Sequence, residues 1–362
     1  MEQTERQLVS LLSEITPLYD VPMREAKARQ DALAKPPGSL GLLEDLSVQL
    51  AGITGQVKNE VSHTRIYVLA ADNGVVCEGV SSAPQSVTRA QAINLTRGLT
   101  GASCLAKHFG DELVVADMGI ALPYACPEIL NRSLGKGTAN IAAGPAMARQ
   151  TAVRGILTGM GLAAQAKRDG IQILGVGEMG IANSTAGTAL YCALLHLDPE
   201  QMTGPGAGAD PDMVRHKTEI VRRALAANAS MLEGDDPINI LAALGGFEIV
   251  LMAGLMLGAA SRRLPVLVDG FICSAAYVAA LHICPQLADY AVLSHASAEP
   301  GHVRALSKLT GGETRNNPLL HLSMRLGEGT GGAVAYHLLR CAASVYNDMA
   351  TFSSAGVAGK TC

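Results

Sequence analysis

Two glutamates set among glycines are the residues of this chain best placed to do chemistry. Glu328 lies in Arg325-Leu326-Gly327-Glu328-Gly329-Thr330-Gly331-Gly332, a single carboxylate among four glycines between two apolar segments. Glycine lets backbone approach a ligand closely, and the run Ala333 to Met349 reads as a helix whose start can hold an anion. Glu178 lies in Gly175-Val176-Gly177-Glu178-Met179-Gly180 and reads as a loop residue after a strand. Two carboxylates without a metal motif suit displacement at an anomeric carbon, where one group accepts a proton and the site stabilises a sugar cation. Each glutamate is also open to a plainer reading, as the brace of its own glycine turn.

Other chemistries are tested by the same stretches. Gly327, Gly329 and Gly332 fit G-x-G-x-x-G, as do Gly175, Gly177 and Gly180, and the latter follow a strand, precede a helix and have Asp198 further on. A dinucleotide fold wants that acid at the end of a second strand, whereas Leu194 to Pro199 is the tail of a helix running into proline. Glu178 would also face the pyrophosphate at close range. Gly135-Lys136-Gly137-Thr138 only echoes a phosphate-binding loop, and no G-x-S-x-G elbow is present. Between His295 and His302, Pro300 breaks any helix that would gather a metal site, so these histidines are expected to hydrogen-bond near a site. No metal and no cofactor are expected.

The elements that must carry these groups follow from composition and pattern. The 362 residues are 48% hydrophobic and 17% charged, with 39 glycines, four Phe and no Trp, as in an α/β enzyme with many strand-to-helix turns. A net charge of -4 without long charge runs gives no footprint for nucleic acid or an anionic membrane. The eight cysteines are scattered singly, and the charged N-terminus runs into the amphipathic Leu8, Leu11, Leu12 and Ile15. This predicts reduced thiols, no secretory signal and a cytoplasmic protein. Strands are predicted at 65–71, 112–116, 171–174, 265–268 and 290–293, each ending in Asp, Gly, Ser or His. Helices are predicted at about 40–54, 87–109, 146–168, 185–196, 211–226 and 237–260, with Ser39 capping the first of these. Ile240 to Ala260 carries one charge, Glu248, and its glycines favour a buried helix beside the sheet over a membrane span. Strands separated by helices predict an α/β fold with a Rossmann-like parallel sheet and ligands at the strands' carboxyl ends. The expected division is a large domain over 46–305 and a small helical lobe from 1–45 and 306–362.

Taken together, Lys35-Pro-Pro-Gly-Ser-Leu-Gly41, Gly74-Val-Val-Cys-Glu-Gly-Val-Ser81, Pro84-Gln85, Gly137-Thr-Ala-Asn140, Gly177-Glu-Met-Gly-Ile181, Asp269-Gly-Phe271, Ser297-Ala-Glu-Pro-Gly-His302 and Gly327-Glu-Gly-Thr-Gly331 resemble the nicotinate-nucleotide:dimethylbenzimidazole phosphoribosyltransferases. The likeness spans nearly the whole chain. It implies a homodimer that moves the 5-phosphoribosyl group of nicotinate mononucleotide to 5,6-dimethylbenzimidazole with inversion, building the lower-ligand nucleotide of cobalamin. By this resemblance Glu328 is the general base and Glu178 lies beside nicotinate and ribose. Gly177, Gly180, Asn183, Ser184, Thr185, Gly206, Gly208 and Lys217 hold the nucleotide and its phosphate, while Ser81, Gln85 and Leu326 border the incoming base. Family members commonly show Asp-His-Gly where this chain has Asp72-Asn73-Gly74, and Asn loses titration there. Transfer to phenol or p-cresol, an NAD-dependent oxidoreductase, and a catalytically silent partner subunit are the alternatives.

Overall fold

The computed structural model describes residues 3–206, 208–310 and 317–358. Six parallel strands form one sheet: β1 (Thr64–Ala71), β2 (Glu112–Gly119), β3 (Leu130–Asn131), β4 (Ile173–Met179), β5 (Val266–Val268) and β6 (Ala291–Leu293), in the order β3-β2-β1-β4-β5-β6. The order reverses between β1 and β4, the switch point beside which ligands bind in such sheets. β1 is buried along its whole length, as a central parallel strand covered on both faces must be. The two-residue β3 is not among the predicted strands, because so short a strand has no periodicity to detect.

The helices are α1 (Gln3–Leu12), α2 (Asp20–Ala32), α3 (Leu42–Thr54), α4 (Ser86–Thr96), α5 (Gly101–Phe109), α6 (Arg149–Arg168) and α7 (Asn183–Leu195) in the first half. The second half has α8 (Pro211–Ala227), α9 (Pro237–Leu244), α10 (Phe247–Ser261), α11 (Phe271–Ile283), α12 (Pro300–Thr310) and α13 (Thr330–Asp348). Alternation along β1 assigns the faces. Tyr67, Leu69 and Ala71 share a core with α6 and α10, whereas Ile66, Val68 and Ala70 share one with α4, α5 and Ala333 of α13. α6 and α10 cross at backbone contact: a Cβ on Gly254 would lie 2.1 Å from Ile156 O, and one on Gly159 2.3 Å from Leu251 O. The glycines of the apolar run 240–260 therefore serve close packing. Among the described residues no helix is long and apolar enough to cross a membrane.

Several expectations are corrected. The helix predicted over 87–109 breaks at Gly98 (φ +74°) and restarts at Thr100, whose side chain and that of Ser103 cap each other's backbone N–H. The helix predicted over 237–260 breaks at Gly245-Gly246, both extended. α11 was assigned no element, since it is buried nearly all round and has no polar face to set a period. Ser39 does not cap α3. Its N-cap is Gly41, without a side-chain cap; the buried Glu44 instead ties down the preceding loop, accepting from Gly38 and Leu40 N–H at 3.3 and 3.1 Å and from Lys35 Nζ at 2.6 Å.

α2, α3 and the end of α13 do come together, with Arg29 donating to Tyr346 O and Asn347 O and a bridge joining Leu33 to Thr351. Most of α13, however, lies on the sheet, where Ala335, Tyr336 and Leu339 pack with Ile173, Leu267 and Val292. α1 packs apart from α2, against α6 and α10. Within the segment expected to join the lobe, 311–316 and 359–362 lie outside the described residues.

Candidate active site

A cavity of about 260 Å³ opens where β1, β4, β5 and β6 end, lined by residues from the loop after β1, the end of β4, and the turns after β5 and β6. Its centre is acidic. Glu178 is not in a loop: β4 runs through Gly175 and Gly177 to Met179, and Glu178 pairs in register with Leu69. Strand alternation puts Glu178 on the face of Leu174 and Val176, and Gly177 on the opposite face. There the backbone of Glu328 and Gly329 lies against Gly177, so closely that a Cβ would fall 2.5 Å from Gly329 N and 2.6 Å from Glu328 O. Two of the glycines that mimic a dinucleotide loop, Gly175 and Gly177, are thus strand residues, and Gly177 admits the second carboxylate instead of a pyrophosphate. Gly327 is bare for the same reason, since its Cβ would meet Glu178 Oε1 at 2.4 Å.

Glu328 is buried and sits at φ +62°, a left-handed conformation costly for a side chain with a Cβ. Asp269, just past β5, holds it there. Its Oδ2 accepts from Gly329 N–H at 3.1 Å, and Oδ1 accepts from Gly331 and Gly332 N–H at 2.7 and 3.2 Å. The anion that the start of α13 was expected to hold is therefore the protein's own. Burial pushes the Asp269 pKa up, against His295, whose Nδ1 is 3.6 Å from Oδ1. Glu328 Oε2 in turn accepts from Ala102 N–H at 3.2 Å, in the first turn of α5, the helix start created by the unforeseen break at Gly98.

Glu178 Oε2 accepts from Asn183 Nδ2 at the start of α7. Burial pushes its pKa up to about 8, opposed by Asn183 and reinforced by the charges of Glu248, Asp269 and Glu328. Behind it Glu248 is wholly buried; burial takes its pKa to about 7, and Asn73 Nδ2 donates to its Oε1 at 2.9 Å. Asn73 thus makes a hydrogen bond within the buried acid cluster. His302 is held neutral: its Nδ1 accepts from Ser297 N–H at 2.8 Å, Nε2 donates to Ser274 Oγ at 2.9 Å, and burial drops its pKa to about 3. Among the described residues no three His, Cys, Asp or Glu side chains are grouped to hold a metal.

One end of the cavity suits a phosphate. Lys217, reaching from α8, is buried and donates to Ser184 Oγ at 3.1 Å and Gly204 O at 3.0 Å, and burial lowers its pKa. Arg325 Nη1 donates to Gly206 O at 3.1 Å beside it. The other end is a slot bordered by Val80, Ala83, Val87, Met179 and Leu326, with Ser81 and Gln91 as polar neighbours.

Of the residues singled out in the sequence, Ser81, Glu178, Gly180, Asn183, Ser184, Gly206, Lys217, Leu326 and Glu328 line this one cavity. Gly177, Thr185, Gly208 and Gln85 do not. Gly177 backs the Glu328 loop, Thr185 is fully buried, Gly208 is exposed, and Gln85 precedes α4, where Val87 and Gln91 form the wall instead. Of the Gly204–Gly208 turn, Ala207 lies outside the described residues. Three backbone donors between Gly180 and Thr185 are spent within the protein: Ile181 N–H goes to Thr88 Oγ1, Asn183 N–H to Gly180 O and Thr185 N–H to Ala182 O. Roles for Asp269, Glu248, Glu299 and Arg325 went unassigned. The signals were an Asp-Gly ending a strand and a lone glutamate in an apolar run.

The residues 15–357 match the model of a family described as phosphoribosyltransferase. The nicotinate-nucleotide–dimethylbenzimidazole phosphoribosyltransferase of Solidesulfovibrio magneticus is 49% identical over 97% of this chain and 99% of its own. The enzyme of that name from Ruminiclostridium cellulolyticum is 43% identical over 92% and 93%. The crystal structure of CobT from Thermus thermophilus superposes with a TM-score of 0.88 at 40% identity, covering 94% of this chain and 100% of the other. The chain belongs to the nicotinate-nucleotide–dimethylbenzimidazole phosphoribosyltransferase family.

Proposed function

We propose that this cavity transfers the 5-phosphoribosyl group of nicotinate mononucleotide to 5,6-dimethylbenzimidazole with inversion, giving α-ribazole 5′-phosphate and nicotinate for cobalamin assembly. The observation that carries the reading is the pair of buried glutamates, Glu178 and Glu328, between a cationic end and an apolar slot. Lys217, Arg325 and Ser184 bind the 5′-phosphate. The nicotinate of the donor is a pyridinium that leaves as a neutral ring nitrogen, so its departure needs no general acid. The other substrate needs a base: when the unprotonated benzimidazole nitrogen attacks C1′, the ring becomes cationic and the N–H proton on its other nitrogen goes to Glu328. Glu178, beside ribose and nicotinate, orients the donor by hydrogen bonding. A positioned base contributes about 10² to 10⁴ in rate, and alignment of two flat substrates supplies much of the rest.

The family resemblance further supports a homodimer, which sedimentation would test, and the seven described cysteines, all free thiols, support a cytoplasmic setting. Purified protein given nicotinate mononucleotide and dimethylbenzimidazole should release nicotinate and an α-linked ribotide in equal amounts, measured by chromatography and proton NMR. Nicotinate release without a ribotide, or a β-linked product, would contradict the reading.

A further inference from the structure

The phosphate end of the cavity holds a carboxylate among its cations. Glu299, between β6 and α12, is only 6% exposed, and its N–H is donated to Ser297 Oγ at 3.3 Å. The side chain presses on the Gly204 turn, where a Cβ on Gly204 would lie 2.1 Å from Oε2. Oε1 is buried and makes no hydrogen bond. Burial pushes the Glu299 pKa up, against Lys217 from α8, Arg325 from the loop before Glu328 and the Gly206 N–H. The nearby titratable group on its own side, His302 of α12, is neutral and engaged with Ser297 and Ser274.

These charges do not balance a phosphate. Lys217 and Arg325 against an ionised Glu299 leave one net positive charge, whereas a phosphate monoester brings about two negative ones at neutral pH. An uncompensated charge in a buried site is expensive, and the group able to neutralise takes a proton instead. We propose that Glu299 makes phosphate binding proton-coupled: as the dianion enters, one proton moves from solvent onto the Glu299 carboxyl, turning an ionised acceptor into a neutral donor. This rests on the reading that the phosphate occupies the Lys217 end.

The sign follows from linkage. Binding takes up a proton only between the Glu299 pKa of the empty site and its higher value in the occupied one, and across that interval affinity falls about tenfold per pH unit. Glu299→Gln fixes the neutral form and removes the dependence.

Calorimetry of the full chain in two buffers of different ionisation heat, at about pH 8, measures the proton count. Inorganic sulfate is the first probe, because it is a dianion that does not itself titrate there; nicotinate mononucleotide is the second. Wild type should take up about one proton per sulfate and Glu299→Gln about none, with the variant binding up to about tenfold tighter. Equal uptake by both proteins, or none by wild type, would overturn the proposal. If Glu299→Gln fails to fold, Glu299→Ala takes its place in the same two-buffer measurement: lost uptake supports the coupling and uptake equal to that of wild type overturns it. A separate result, Lys217→Met binding sulfate and mononucleotide as wild type does, would remove the phosphate from this end and the proposal with it.

Discussion

The two long walls of the cavity are built on opposite principles. On the acidic side each group is tied to another element: Glu328 by α5 and by Asp269 through the backbone around it, Glu178 by α7, and Glu248 by Asn73. On the acceptor side Ser81 Oγ bonds Ala83 N–H and O of its own loop, and Leu326 is 62% exposed. The first wall is held to a fixed geometry, as a base must be to meet one proton on one substrate atom. The second offers aliphatic surface and a methionine, Met179, that fit aromatic rings of different outline. The contrast puts rate on one wall and base preference on the other, and each wall can be tested for the property it should lack.

The heaviest effect is expected where the acidic wall meets β4. Gly177→Ala drives a methyl into the Glu328–Gly329 backbone, and thermal unfolding should report a loss of about 3 kcal/mol or more together with lost turnover. Asp269→Asn leaves three loop N–H donors with one oxygen and an opposing NH2, and should cost about 2 kcal/mol of stability. Its kcat should fall more than its KM for nicotinate mononucleotide changes, because the residue acts through Glu328 and not on the substrate. Equal loss in both constants would point to a collapsed site.

A graded effect, read as a slope, comes from pH. Glu178 and Glu248 have folded pKa values raised to about 8 and about 7 by burial, so their stabilisation is complete below the usual carboxylate range and is lost as pH rises through those values. The unfolding free energy from denaturant titration should fall with pH over that window by up to about 1.4 kcal/mol per unit for each group, and Glu178→Gln should flatten the fall. A profile unchanged by that substitution would mean the acid is not held protonated. The smallest effect belongs to the acceptor wall: Leu326→Ala should leave stability within about 0.5 kcal/mol and shift the preference between dimethylbenzimidazole and benzimidazole by about 1 kcal/mol. A large loss of rate there would break the division of labour.

What the sequence made legible follows from the range of the interactions involved. The five longer strands were readable because buried parallel strands are continuous apolar runs, and β4 was recognised even though its end was placed too early, at Leu174. Glycines at 175, 177 and 180 look like a loop in one dimension; in three, two of them are strand positions, Gly175 packed on Ile66 of β1 and Gly177 bare because the Glu328 loop lies against it, a contact no local pattern carries. Asp269 escaped assignment for the same reason, since its three partners lie about 60 residues on. The break before α5 was legible in principle, as Gly98 followed by Thr100-x-x-Ser103, but the helical periodicity on either side masked it. Gln85 fell outside the cavity wall because a loop residue's distance along the chain does not fix the direction in which the loop turns.

The sharpest test compares the turnover of wild type and Glu328→Gln at saturating nicotinate mononucleotide and dimethylbenzimidazole, with mononucleotide binding checked on both proteins. Gln keeps the shape and can still accept the Ala102 N–H but cannot take the benzimidazole proton, so turnover should fall by about 10² to 10⁴ with binding retained. A variant that binds the mononucleotide and turns over within about twofold of wild type would contradict the assignment of Glu328 as the base.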